Sequence, residues 1–248
     1  LFDDHAVPYG CKYNDDYKAY ATTIVNHFKA LKHLVWVTQE EYRWTSGSQS
    51  ACSVADNDAR QIGLAAAIRA ADAVHPIATH HMGGQAMQFG SDAHIRVFGQ
   101  QTTSRSPESM HDNAGKQGWG NWVYVMAEAH PWHKERIAAG DRSALRRSNW
   151  ATAMSGGYVM VYDSFESNDP TDAMLDDLRR LKVFMEATAF NRMAPLFDTA
   201  LSNARLDNTK YLLSNPSQGL YILYGEFDAG KMGVRGAPAG SYALRWFD

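Results

Sequence analysis

Between Leu34 and Phe190 short apolar runs alternate with helical stretches about five times. The runs Leu34–Gln39, Pro76–His81, Ile95–Gln101, Asn121–Glu128 and Tyr158–Asp163 are rich in β-branched and aromatic residues. They are too short for helices and read as buried strands. Helical spacing appears before and between them. Asn14 or Asp15 caps a stretch to about Lys32, with Tyr17, Tyr20, Ala21, Ile24, Phe28 and Leu31 on one face. Asp58–Ala73 carries Ile62, Ala65, Ile68 and Ala71 or Asp72, and Ser104–Gly120 holds at most one short helix. Arg142–Met154 closes on Gly156–Gly157, and Asp172–Phe190 has a stripe of Met174, Leu178, Leu181, Met185 and Thr188. Such alternation predicts an α/β fold with a parallel sheet and right-handed crossovers, open or closed into a barrel.

The pattern changes after Pro195. Lys210–Ser214, Leu220–Glu226 and Ser241–Phe247 read as short strands joined by Gly- and Pro-containing turns. The expected division is residues 1–195 as the α/β part and residues 206–248 as the start of a β-sandwich. About 40 residues are too few to complete a sandwich of ~100. The chain opens on Leu1–Asp4, which reads as the end of a strand, with no initiator Met or signal peptide. It is expected to be cut at both ends.

Bulk properties exclude some classes. A net charge of −3, without a long Lys or Arg run, argues against general nucleic-acid binding. No stretch of ~18 apolar residues exists to span a membrane. Neither Gly83–Gly84 nor Gly156–Gly157 fits a phosphate-binding loop, and no G-x-S-x-G elbow is present. Cys11 and Cys52 follow the first two strand-like pieces. A disulfide is possible if those strands are neighbours; two free thiols is the alternative.

Carboxylates at strand ends carry the chemistry. Glu40 and Glu41 close the first full strand, among Tyr42 and Trp44, and Glu128 closes the fourth, ahead of His130, Trp132 and His133. The C-terminal ends of parallel strands are where such folds place chemistry. Two carboxylates among aromatic residues suit hydrolysis of a sugar linkage, where retaining enzymes hold them ~5–5.5 Å apart. In an extended chain Glu40 and Glu41 point to opposite sides, so one faces the cleft and the other points away. His80, His81, Gln101 and Asp163 also sit at strand ends and are candidate substrate-binding groups, with Glu40, Trp44, His130 and Trp132. Tyr42, Trp119, Tyr162 and Phe165 could also stack on sugar rings, although each alone is more readily explained by packing. Satisfied structural histidines explain His80 and His81 equally well. A metal site of His130 and His133 with His80, His81 or His94 would need three or four well-placed ligands. No metal or cofactor is expected.

The order of these motifs resembles a known family. Trp-x-x-x-x-Glu at Trp36–Glu41 is followed by His-Pro-Ile-x-x-His-His at His75–His81, then a strand ending in Gln at Phe98–Gln101. A strand ending at Glu128 and an aromatic, Gly-rich last strand and helix complete the order. This looks like the apiosidase-like (β/α)8 glycoside hydrolases. The tail YLLSNPSQGLYILYG…GSYALRWFD resembles the small β-domain that follows that barrel, which carries an older collagen-binding label. The resemblance implies a TIM-type barrel present from the end of strand three to strand eight. It places Glu41 at the acid/base position on strand four and Glu128 at the nucleophile position on strand seven. Several relatives carry Asp rather than Glu at the first position, and Glu40 beside Glu41 leaves the choice between the two open. The implied activity is O-glycosidic hydrolysis of a poly- or oligosaccharide, retaining, in a secreted or periplasmic protein. The rival readings are a non-catalytic carbohydrate-binding protein on a degenerate barrel and a histidine-metal hydrolase.

Overall fold

A computed structural model describes residues 1, 7–42, 51–102, 106–116, 122–129, 132–159, 170–196, 209–226 and 232–247. The chain divides into two compact units, residues 1–103 with 119–128, and residues 104–118 with 129–248.

In the first unit, helices α1 (Asp15–Phe28) and α2 (Val54–Ala71) accompany strands β1 (Trp36–Val37), β2 (Ile77–His81), β3 (Ile95–Gln101) and β4 (Val123–Glu128). The strands are parallel and lie side by side in chain order. Asn14 starts α1 by accepting from the Asp16 and Tyr17 amides, and Asp15 and Asp16 favour its N-terminus. Tyr17, Ala21 and Val25 form the buried face, whereas Tyr20, Phe28 and Leu31 are exposed. The helix stops at Phe28, short of the expected Lys32. Ser53 caps α2 by accepting from the Asp56 amide, so this helix starts four residues before Asp58. Its buried side combines Leu64, Ala65 and Ile68 with Asn57, Arg60 and Gln61, while Ile62 is exposed. These helices and the strands enclose a core of Tyr17, Val25, Trp36, Leu64, Ile68, Ile77, Phe89 and Ile95. All of β2 is buried, as expected of an inner strand of a parallel sheet.

Two ties close this unit. A disulfide joins Cys11 and Cys52, with Cα atoms 5.2 Å apart. Arg60, 1% exposed, donates to the Cys11 carbonyl at 2.9 Å, Asn57 Oδ1 at 2.5 Å and Gln39 Oε1 at 3.2 Å. Gln61 also donates to Gln39 Oε1, at 2.6 Å, and accepts from Thr38.

The second unit holds α3 (Pro107–Lys116), α4 (Trp132–Ala138), α5 (Arg142–Met154), β5 (Tyr158–Val159) and α6 (Asp172–Glu186). An antiparallel sheet of β6 (Ala194–Pro195), β7 (Tyr211–Asn215) and β8 (Leu220–Tyr224) follows. Arg142 clamps Asp177 at 2.6 and 2.8 Å, joining α5 to α6. Ala151, Met154, Leu181 and Met185 pack with Tyr211, Leu213 and Ile222, so the small sheet shares its core with these helices. Lys210 pairs with Glu226 at 2.6 Å and with Glu108. The expected strand Ser241–Phe247 does not form. Tyr242, Leu244, Trp246 and Phe247 are exposed along it, and no described neighbour supplies the ladder a strand needs. No described helix is long and apolar enough to cross a membrane.

Trp36 in β1 is anchored from the far end of α2. Its indole donates to Asp72 Oδ2 at 2.8 Å, and Asp72 also accepts from the Val74 and His75 amides and from His75 Nδ1. Burial pushes the Asp72 carboxyl up, but these hydrogen bonds together hold it below the usual carboxylate range. The folded pKa is depressed, so its contribution is present above about pH 4 and is lost as pH falls below that. Asp72→Ala leaves the buried indole N–H unpaired and should cost about 1–3 kcal/mol at pH 7. Urea denaturation at pH 7 and pH 3 checks this: the wild-type advantage should shrink at the lower pH.

Candidate active site

Three glutamates and a histidine meet at the C-terminal ends of β1–β4. Gln101, the last residue of β3, organises two of them. Its Nε2 donates to Glu41 Oε1 at 2.8 Å and to Glu128 Oε1 at 3.0 Å. Two oxygens sharing one nitrogen at those lengths are less than about 6 Å apart, close enough to flank a single bond.

Local backbone irregularities produce this convergence. Along β3 and β4, Gln100 pairs with Met126 but Gln101 pairs with Glu128, so the register skips Ala127. A bulge of one residue turns the next side chain to the other face. Glu128 therefore lies on the side of Gln101, and the Thr102 amide binds its carbonyl at 2.8 Å. Beyond β1, Glu41 adopts φ 42°, in the left-handed region that non-glycine residues rarely occupy. The chain then rejoins the sheet, with the Tyr42 amide donating to the His80 carbonyl at 2.7 Å and Tyr42 bridging to His81. The turn removes the alternation expected of an extended Glu40–Glu41 pair. Glu41 is 8% exposed and reaches Gln101. Glu40 is exposed, yet it does not point away: a carboxylate oxygen of Glu40, one of Glu128 and a ring nitrogen of His80 lie within 4.8 Å of one another.

Strand alternation separates the adjacent histidines. His80 sits beside Gly99 in the register and faces the carboxylates, its Nε2 3.9 Å from Glu128 Oε2. Burial pushes its pKa down to about 4. At neutral pH the contact is a neutral imidazole beside a carboxylate, not an ion pair. His81 is fully buried, ringed by Tyr42 at 5.0 Å, Phe98 at 4.9 Å and Phe89 at 5.9 Å, and its Nδ1 meets Thr79 Oγ1 at 3.1 Å. It packs the layer beneath the site and has no surface with which to bind substrate, which corrects the expectation for it. Tyr42 is also fully buried, so it offers no sugar platform. Trp132 opens α4 in the second unit, with Arg136 over its ring at 4.9 Å. His133 in the same helix is 1% exposed. Trp44, His130 and Asp163 lie outside the described residues, as do Trp119, Tyr162 and Phe165.

Sequence reasoning overlooked Arg60, which supports Gln39 directly before the two glutamates. The available signal was a polar group, Asn57, Arg60 and Gln61, on the same helix face as Leu64 and Ile68. It also read Gln101 as a substrate contact without seeing that one amide can serve both carboxylates.

No family model matches the chain, and no curated protein is similar to it by sequence. Its structure is similar to that of a glycoside hydrolase family 5 protein from Bacteroides vulgatus ATCC 8482, with a TM-score of 0.54 and 13% sequence identity. The likeness covers 92% of this chain and 64% of that one. The fold is α/β, TIM-barrel-like with a parallel sheet, followed by a small antiparallel sheet.

Two outcomes follow from the local physics. Between about pH 6.5 and 4 the unfolded chain protonates a histidine that the folded chain keeps neutral at position 80. Stability should therefore fall as pH falls through that window, and His80→Gln should flatten the slope in guanidinium titrations at pH 7, 6 and 5. At Glu41, glycine tolerates positive φ and alanine does not, so Glu41→Gly should be more stable than Glu41→Ala by about 1 kcal/mol. Equal stabilities would mean that the turn relaxes when the glutamate is removed.

Proposed function

We propose that this chain is part of a glycoside hydrolase that cleaves O-glycosidic bonds of a poly- or oligosaccharide, with Glu41 as general acid/base and Glu128 as nucleophile. The carrying observation is the single Gln101 amide bonded to both carboxylates. Bonds of 2.8 and 3.0 Å to one nitrogen hold the two oxygens less than about 6 Å apart, which supports a retaining pair over the ~6.5–9.5 Å of an inverting one. Glu41 is the most buried of the three carboxylates, which suits the group that must hold a proton before giving it to the leaving oxygen. Glu128, on an inner strand and tethered through Oε1, suits in-line attack on the anomeric carbon. The resemblance in fold to a family 5 glycoside hydrolase supports the reaction class. The finer assignment, to apiosidase-like enzymes with their following β-domain, rests on the order of strand-end motifs alone. The Cys11–Cys52 disulfide supports an oxidising compartment, hence a secreted or periplasmic protein.

Hydrolysis would run in two steps. Glu128 attacks the anomeric carbon as Glu41 protonates the departing oxygen, giving a glycosyl-enzyme ester. Glu41, now ionised, takes a proton from water, whose oxygen displaces Glu128. Gln101 touches both carboxylates and so acts as a positioning residue. Its N–H stabilises whichever of the two is ionised.

Release of reducing ends from a panel of plant and microbial polysaccharides, with aryl glycosides alongside, tests the assignment. Glu128→Gln should abolish turnover by 10³-fold or more, on the order expected when a nucleophile is lost. Glu41→Gln should cost about 10²–10⁴-fold on natural linkages and far less on aryl glycosides with good leaving groups. Azide should rescue only the Glu41 variant, giving a glycosyl azide of retained configuration. Gln101→Leu should lower kcat more than it raises KM. Saccharide binding that persists while no substrate in the panel is cleaved would favour a carbohydrate-binding protein.

A further inference from the structure

The hydrolytic reading uses Glu41, Gln101 and Glu128 but gives no task to Glu40 or His80. Both face Glu128. His80 Nε2 is buried, and the residue as a whole is only 9% exposed. This nitrogen has no hydrogen-bond partner among the described residues. The nearest acid, Glu128 Oε2 at 3.9 Å, lies beyond hydrogen-bond length. A buried polar atom left in that condition is unfavourable, so the arrangement calls for a ligand that accepts a nitrogen lone pair or donates to it. The surrounding charge is negative, from Glu128 and from Glu40, whose ligand atoms lie within 4.8 Å of the imidazole and of each other.

We propose that Glu40, His80 and Glu128 form a binding site for one divalent first-row transition ion, with zinc as the representative. The donor set is one imidazole and two carboxylates, which suits zinc, cobalt or manganese rather than calcium or magnesium, ions that take all-oxygen shells. Bonds of about 2.0–2.2 Å bring zinc ligands to within about 3.5 Å of one another. Glu40 is exposed, and from ligand atoms within 4.8 Å of one another the closure required is on the order of 1 Å. Glu128 divides its two oxygens between the tasks. Gln101 holds Oε1, while Oε2 is the atom facing His80. The amide thus orients a metal-ligating carboxylate from behind, as supporting groups do in protein metal sites. Binding does not depend on the glycosidase reading. Its consequence does: an ion on Glu128 would occupy the nucleophile and inhibit hydrolysis.

The test is calorimetric titration of zinc chloride into the chelator-treated, disulfide-intact chain in a non-coordinating buffer, with thermal unfolding measured in parallel. The expected result is one ion per chain and a rise in Tm with zinc but not with magnesium. Glu40→Gln should weaken zinc binding tenfold or more, and His80→Gln should do the same. Glu41→Gln should leave binding within about threefold, because Glu41 is outside the ligand set. Should His80→Gln fail to fold, Glu40→Gln decides the matter, its fold checked by circular dichroism and by its Tm without zinc. Absence of saturable binding overturns the proposal, leaving a water as the partner of His80. So does binding that survives both substitutions. Hydrolysis assays separate this result from the glycosidase reading: zinc binding without hydrolysis in zinc-free buffer overturns that reading alone, and hydrolysis without zinc binding overturns the metal site alone.

Discussion

A buried guanidinium that has no hydrogen-bonded carboxylate among the described residues sets the geometry of the first unit. Arg60 is 1% exposed, and its three acceptors are neutral oxygens: the Cys11 carbonyl, Gln39 Oε1 and Asn57 Oδ1. Burial lowers its pKa because the charged form loses its water. Loss of any one acceptor therefore weakens the compensation of a buried charge, by about 1.5–3 kcal/mol for a hydrogen bond to a charged group. Cys11 is doubly held, by this bond and by its disulfide to Cys52 just ahead of α2. Gln39 is held by Arg60 from one side and by Gln61 from the other. The residue after it is the first of the two strand-end glutamates.

From that anchor the geometry at Glu40 and Glu41 follows. Gln39 cannot move outward, and Tyr42 is drawn back into the sheet by its bond to the His80 carbonyl. Two residues must span the interval, and Glu41 does so at φ 42°. A non-glycine residue there carries strain of about 1–3 kcal/mol, tolerated because both neighbours are over-determined. Both carboxylates consequently approach the same strand end from one side. On the other side, the skipped Ala127 delivers Glu128 to Gln101. A strained turn and a bulge, each one residue long, assemble the site on an otherwise regular parallel sheet.

These two irregularities mark the limit of what the sequence conveys. β3 and α5 are legible to the residue, since their apolar patterns begin and end at clear polar or glycine punctuation. α2 begins earlier than its apolar pattern does, because Ser53 caps it from within a Ser- and Ala-rich stretch that looks like loop. α4 is missed for lack of an apolar stripe in Trp132–Ala138. The identity of the strand-end acids is readable, as is the shared address of Glu41, Gln101 and Glu128. Their orientation is not. Positive φ at a glutamate leaves no compositional trace, and a bulge depends on the partner strand. His80 and His81 look equivalent in sequence, and only the pleat decides that one faces the acids while the other is walled in by Phe98, Phe89 and Tyr42.

The neutrality of His80 completes the electrostatic argument. A carboxylate nucleophile needs its charge, and a cation at 3.9 Å would draw that charge toward itself. Desolvation keeps the imidazole uncharged until pH approaches about 4, so at neutral pH it places no positive charge beside Glu128. Gln101 contributes in the same sense, as a neutral donor shared between two acids rather than a cation committed to one. An arginine or lysine in its place would favour ionisation of Glu41 and Glu128 together, which would remove the proton that the acid role proposed for Glu41 requires. Neutral donors let one acid of a close pair hold a proton while its neighbour stays charged. Fold similarity at 13% identity does not supply that division of labour; the proposal for it rests on the side chains at these strand ends.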